Sequence, residues 1–208
     1  TTMRGSVKGL AFPGLMDEEE TWWEKDPFHV MIATVLSQRT RDMNTSKAAS
    51  ELFHRFYSPQ DMADAQVQEI QLIIRPVGFY RSKAKAIKEI GRLVLENGGV
   101  PKDIEVMTSW PMVGRKTANL VVSLGYGKPG ICVDTHVHRI SNRLGYVSTK
   151  TPDETEIALR SKLPRPYWTD YNTLMVTFGR QICRPLSPFC SRCPVSRCCE
   201  RRNVDKSR

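Results

Sequence analysis

Two groups of residues in this sequence have types and spacings that could do chemistry. The first lies near the C-terminal end, where Cys183, Cys190, Cys193, Cys198 and Cys199 fall within seventeen residues. Four of them, Cys183, Cys190, Cys193 and Cys199, are separated by six, two and five residues. Four thiolates so spaced can wrap one compact metal centre, either an iron–sulfur cluster or a tetrahedral zinc. Four-thiolate zinc sites usually carry two Cys-x-x-Cys pairs, and here only Cys190–Cys193 is one. The spacing therefore favours a 4Fe–4S cluster. Cys198 is spare and could ligate in place of Cys199. A disulfide framework would be spread along a secreted chain, whereas only Cys132 lies outside this group.

The second group lies between Met107 and Arg143. A tight turn, Pro111-Met112-Val113-Gly114, opens onto a helix-forming run from Arg115 to Leu124. Backbone N–H groups at a helix N-terminus are a ready site for a phosphate. Lys116 stands two residues past the turn, and Asp134 follows eighteen residues later among apolar neighbours. An amine, a phosphate-binding turn and a carboxylate in one segment point to amine chemistry on a nucleic-acid backbone. Each residue also has a plainer reading. Lys116 could simply contact phosphate, and Asp134 could cap a helix beginning at Thr135. His136 and His138 fall on different sides of that helix and read as packing or capping residues.

Composition is compatible with such a partner. The 208 residues carry 31 Lys and Arg against 22 Asp and Glu, a net charge of +9. That surplus favours a polyanion without proving one. No apolar run approaches the length of a membrane span, and the N-terminal TTMRGSVKGLAFPG lacks a signal-peptide core. A cytoplasmic, nucleoid-associated protein is expected.

The elements that must position these groups read as helices throughout. Asp26-Pro27 is a helix start with an acidic N-cap and proline at the first helical position. Phe28, Met31, Ile32, Val35 and Leu36 then recur at helical spacing. Further helices are expected over 45–56, near 59, over 67–74, 82–96 and 103–109, and beyond the turn over 135–144, 153–163 and 167–182. Trp22-Trp23 would dock an N-terminal arm. No strand alternation is sustained, so the class is all-α. The natural division is a helical domain over 25–127 and a second lobe made of 1–24 plus 128–208.

The cysteine spacing, Gly-Arg-Lys-Thr-Ala-Asn at 114–119 and Val-Asp-Thr-His-Val at 133–137 together resemble the endonuclease III family of the helix-hairpin-helix–Gly/Pro/Asp superfamily. Gly78-Phe79-Tyr80 with Lys83-Ala84, and Asn97-Gly98-Gly99, extend the likeness, which covers about residues 26–200. The resemblance implies two helical lobes, a six-helix barrel domain with the helix-hairpin-helix and a 4Fe–4S domain, with a DNA cleft between them. It implies a monomeric base-excision repair enzyme that flips a damaged base out of duplex DNA. Lys116 is then the nucleophile that forms a Schiff base at C1′, and Asp134 the catalytic carboxylate. β-Elimination would cut the strand 3′ to the abasic site. Cys183, Cys190, Cys193 and Cys199 would hold the cluster. Gln38, Arg39, Lys83, Pro111, Val113, Gly114 and Arg115 would contact DNA.

Two departures from the family pattern stand out. Met112 replaces the first hairpin glycine, which removes the freedom to take a positive φ at no cost. Arg39, with Gln38 beside it, stands where relatives place a glutamine that fills the gap left by the flipped base. The rival readings are a monofunctional mismatch glycosylase, whose relatives typically lack a lysine at position 116, and a non-catalytic helix-hairpin-helix DNA-binding module.

Overall fold

The structure, a computed structural model, describes residues 26–208. The N-terminal arm with Trp22-Trp23 lies outside the described residues. Among the described residues there are ten α-helices and no strand, as the sequence predicts. They group into two compact units.

The first unit takes the chain up to Val113 together with Leu124–Tyr126. It holds α1 (Pro27–Ser37), α2 (Asp42–Arg55), α3 (Pro59–Asp64), α4 (Val67–Ile73), α5 (Tyr80–Glu96) and α6 (Ile104–Thr108). The cap on α1 is the one the sequence announces: Asp26 Oδ1 accepts from the N–H groups of Phe28 and His29, each at 3.0 Å. Every residue from Phe28 to Leu36 is buried, so α1 runs through the middle of this unit rather than across its surface. α2 begins three residues before the predicted Thr45, at Asp42. Helix α5 packs against α3 through Gly91, where a Cβ would stand 2.8 Å from the Pro59 carbonyl oxygen. Only a glycine permits that approach.

The second unit takes Gly114–Ser123 and Gly127–Arg208. It holds α7 (Arg115–Leu120), α8 (Thr135–Arg143), α9 (Pro152–Lys162) and α10 (Trp168–Gln181), followed by the cysteine loop. Its core is Ile131, Val133, Val137, Val147, Leu159 and Trp168. Each such side chain taken out of water contributes roughly 2 kcal/mol. The predicted single helix over 115–124 is α-helical only to Leu120 and continues as a π-helical turn, Val121–Gly125.

This division differs from a break near residue 127. The stretch Gly114–Ser123 groups with the second unit, because Arg115 and Asn119 reach side chains of α9 and the backbone of Ile131.

Candidate active site

In the second unit, Gly114 is the N-cap of α7 and Lys116 lies in its first turn. The Lys116 side chain is exposed. The Arg115 guanidinium is not directed to a ligand. Its Nε and Nη2 both reach Glu156 Oε2, at 2.8 and 2.7 Å, and only 15% of the side chain is exposed. What Arg115 and Gly114 can offer a phosphate is backbone N–H.

Asp134 takes the cap position of α8: its Oδ1 accepts from His136 N at 2.8 Å and Val137 N at 2.9 Å. The capping role foreseen for Asp134 is therefore present, and its second oxygen stays available for other work. Lys116 and Asp134 share a neighbour in the buried Cys132. Burial pushes that thiol up to about 11, Lys116 pulls it back and Asp134 raises it. His138 donates to or accepts from Thr155 Oγ1 at 2.7 Å, and His136 meets Arg139 at 3.1 Å. Both are packing histidines, as expected.

The first unit carries the other predicted contacts. The turn before Val113 closes with Val113 N donating to Trp110 O at 3.2 Å. Met112 takes φ 60°, a left-handed conformation that glycine adopts without cost. A side chain there costs roughly 1–2 kcal/mol. Gln38 offsets part of that strain: its Nε2 donates to Met112 O at 2.9 Å. Pro111 is half-buried in the turn and Val113 is buried, so Val113 supports the turn and presents only backbone.

Arg39 is exposed, takes φ 51°, and sets its guanidinium 5.6 Å from the ring centre of Phe79. Phe79 is itself 60% exposed at φ 58°. Two strained, exposed residues side by side mark a working surface. Phe79 was not singled out from the sequence, although the Gly78-Phe79-Tyr80 triplet held the signal. Gly78 is required there, since a Cβ would come within 2.7 Å of Arg39 O.

Lys83 is corrected. It is fully buried, and its ammonium donates to Leu36 O at 2.9 Å, Gln38 O at 2.6 Å and Thr40 Oγ1 at 3.2 Å. All three protons are used, so no donor is left for DNA. Burial pushes its pKa down to about 8, which is what amine catalysis would seek, but no substrate can reach it. Its work is to close the C-terminal end of α1 and hold the loop bearing Gln38 and Arg39. Lys83→Met is expected to cost about 2 kcal/mol, because two backbone carbonyls lose a buried donor. A urea melt of the purified protein measures it.

The four predicted cysteine ligands line one pocket of the second unit together with Ile140, Arg143, Phe178, Ile182 and Phe189. Cys198 is exposed and is not on that lining. No disulfide joins any of the six cysteines. Burial pushes Cys193 up, a Val195 backbone hydrogen bond pulls it partly back, and Cys199, Cys183 and Cys190 raise it further. Other N–H groups also point at sulfur: Arg143 Nη1 at 3.6 Å from Cys183 Sγ, and Arg201 N at 3.4 Å from Cys199 Sγ. Four thiols on one pocket, with N–H groups directed at sulfur, are the donor set an iron–sulfur centre uses. Among the described residues, no three His, Cys, Asp or Glu side chains stand close enough to hold a single metal ion. Three guanidinium groups, of Arg184, Arg192 and Arg208, lie over the Phe189 ring at 5.0, 4.0 and 5.3 Å and give this loop a basic rim.

An all-helical chain with a Pro-x-Val-Gly-x-Lys hairpin and a capping aspartate belongs among the helix-hairpin-helix base-excision proteins. Residues 32–165 match the family model described as "HhH-GPD superfamily base excision DNA repair protein". Endonuclease III of Thermotoga maritima is 51% identical over 179 residues, spanning 85% of this chain and 84% of that protein. Endonuclease III of Bacillus subtilis is 38% identical over 87% of this chain and 84% of its own. A solved structure of a trapped endonuclease III–DNA covalent intermediate superposes with a TM-score of 0.73 at 37% identity, covering 85% of this chain and 84% of that one. The chain belongs to the endonuclease III family. Among the described residues, no helix is long and apolar enough to cross a membrane.

Proposed function

We propose that this chain excises oxidised pyrimidines from duplex DNA and then cleaves the abasic strand, with Lys116 as nucleophile and Asp134 as its carboxylate partner. The observation that carries this is an exposed lysine in the first turn of α7 and an aspartate that caps α8 with one oxygen, both within the same compact unit. The Lys116 amine, once deprotonated, attacks C1′ of the flipped nucleotide. The glycosidic bond breaks and the base leaves, taking a proton. Opening of the sugar ring breaks C1′–O4′ and leaves an iminium between Lys116 Nζ and C1′. Loss of a proton from C2′ then expels the 3′ phosphate, and water releases the lysine. The Asp134 carboxylate faces the positive charge that develops on the sugar.

Gln38 is engaged by the hairpin, so Arg39, with Phe79 beside it, is the better residue to fill the gap left by the flipped base. Cys183, Cys190, Cys193 and Cys199 would hold a 4Fe–4S cluster, whose part is to pin the loop that carries the basic rim. The protein would act as a monomer on chromosomal DNA in the cytoplasm. A lysine at position 116 counts against a monofunctional mismatch glycosylase, and a lysine–aspartate pair counts against a purely binding module.

Borohydride reduction in the presence of duplex DNA holding an oxidised pyrimidine is the test. A covalent protein–DNA adduct is expected from the natural protein and none from Lys116→Gln. An undiminished adduct in that variant would end the assignment.

A further inference from the structure

The buried polar groups of the second unit converge on one carboxylate that the reaction does not use. Glu156, on α9, is 1% exposed. Its Oε2 accepts from Arg115 Nε and Nη2, and its Oε1 accepts from Arg160 Nε and, at 3.3 Å, from Asn119 Nδ2. Asn119, on α7, is fully buried, and every polar position of its side chain is used. Nδ2 also donates to Arg115 O at 3.0 Å, while Oδ1 accepts from Ile131 N at 3.0 Å and Arg160 Nη2 at 2.8 Å. The backbone beside this amide comes very close. A Cβ on Gly130 would stand 2.7 Å from Asn119 O.

The positions of these contacts in the chain matter. Asn119 lies three residues after Lys116, nearly one helical turn on, and Ile131 lies three residues before Asp134. The hydrogen bond from Ile131 N to Asn119 Oδ1 therefore ties the helix that carries the amine to the segment that delivers the carboxylate. Glu156 in turn fixes both the Asn119 amide and the guanidinium next to Lys116. A carboxylate left unpaired in this position would be costly, and so would two guanidinium groups without it, so the cluster has one arrangement rather than several.

We propose that Asn119 and Glu156 are positioning residues for the excision reaction: through Ile131 and Arg115 they set the distance and direction between Lys116 and Asp134. Neither touches DNA. The inference rests on Lys116 and Asp134 being the reacting pair.

The test uses the full chain and a duplex carrying a thymine glycol, in single-turnover excision with borohydride trapping as a count of competent molecules. Glu156→Gln keeps the shape and removes the charge, while Asn119→Ala removes the acceptor for Ile131. A residue that only stabilises the fold lowers the trappable fraction and leaves the rate constant of the competent molecules alone. A positioning residue lowers that rate constant. The expected result is a fall of about tenfold for Glu156→Gln and about a hundredfold for Asn119→Ala, since a displacement near 1 Å at the reacting groups is worth that much. Affinity for the duplex should stay within about twofold in both, which the same principle of misplaced but present groups requires. Rate constants within twofold of the natural protein in the trappable fraction of either variant would overturn the proposal. Lys116→Gln in the same assay separates the two ideas. If it still traps, the reading of the reacting pair has failed. If it does not trap while Glu156→Gln keeps its rate, only the positioning role has failed.

Discussion

Asp134→Asn is expected to slow base excision about 10²–10³-fold while leaving the stability of the protein within a few tenths of a kcal/mol. The two halves of that expectation come from different properties of one side chain. The cap on α8 needs an oxygen that accepts from His136 N and Val137 N, and an asparagine supplies one in the same place. The reaction needs a negative charge facing the sugar as it becomes cationic, which asparagine cannot supply. Asp134→Ala loses both and should lose about 1 kcal/mol of stability in addition to the rate. Single-turnover rates beside thermal melts of the two variants separate the roles. Equal loss of rate and stability in Asp134→Asn would leave Asp134 with the cap alone.

The second large effect is expected at the cysteines. Cys199→Ser should abolish the broad visible absorption of a 4Fe–4S protein and unfold the loop after Cys183, whereas Cys198→Ser should leave the absorption unchanged. Cys199 shares a pocket with Cys183, Cys190 and Cys193, and its sulfur already receives the Arg201 N–H. Cys198 is exposed and outside that pocket. A metal centre of this kind substitutes for core that the loop lacks, so losing one ligand should cost folding as well as colour. Visible spectra with iron and sulfide determinations decide it. Colourless natural protein with stoichiometric zinc would refute the cluster altogether.

How much of this was legible in the sequence varied with the kind of interaction. The Asp26-Pro27 cap, the periodicity of α1 and the capping place of Asp134 depend on neighbours within four residues, and the sequence shows those directly. Lys83 is different. It shares α5 with Lys85, Lys88 and Arg92, but it stands four and seven residues before Ile87 and Ile90 and so falls on the buried face of that helix, as the other three do not. Its burial is decided by carbonyls more than forty residues away, on α1 and the loop that follows it. Glu156 goes unmarked for a like reason: it stands just past the acidic first turn of α9, formed by Asp153 and Glu154, and its partners Arg115 and Asn119 lie about forty residues away. Met112 could be flagged as a missing glycine, but its left-handed backbone and the Gln38 contact that supports it need the turn and α1 together. The compact units divide after Val113 rather than near residue 127 for the same reason: the hairpin helix takes its side from Asn119, not from the composition around residue 127.

Helix α8 has a further bearing on the cluster proposed for the cysteine loop. It begins at the Asp134 cap and ends at Arg143, whose guanidinium donates to the carbonyls of Arg184 and Pro185, while Arg139 reaches the carbonyl of Cys183 at 2.8 Å. Nine residues make a rod of about 13 Å, stiff along its length. It works as a lever whose far end is bolted to the cysteine loop. If that anchorage slackens and the rod tilts by about 5°, the carboxylate end moves by about 1 Å, enough to cost about 10²-fold in rate. Loss of turnover after iron is stripped would therefore be accounted for by mechanics alone, without any electron having moved.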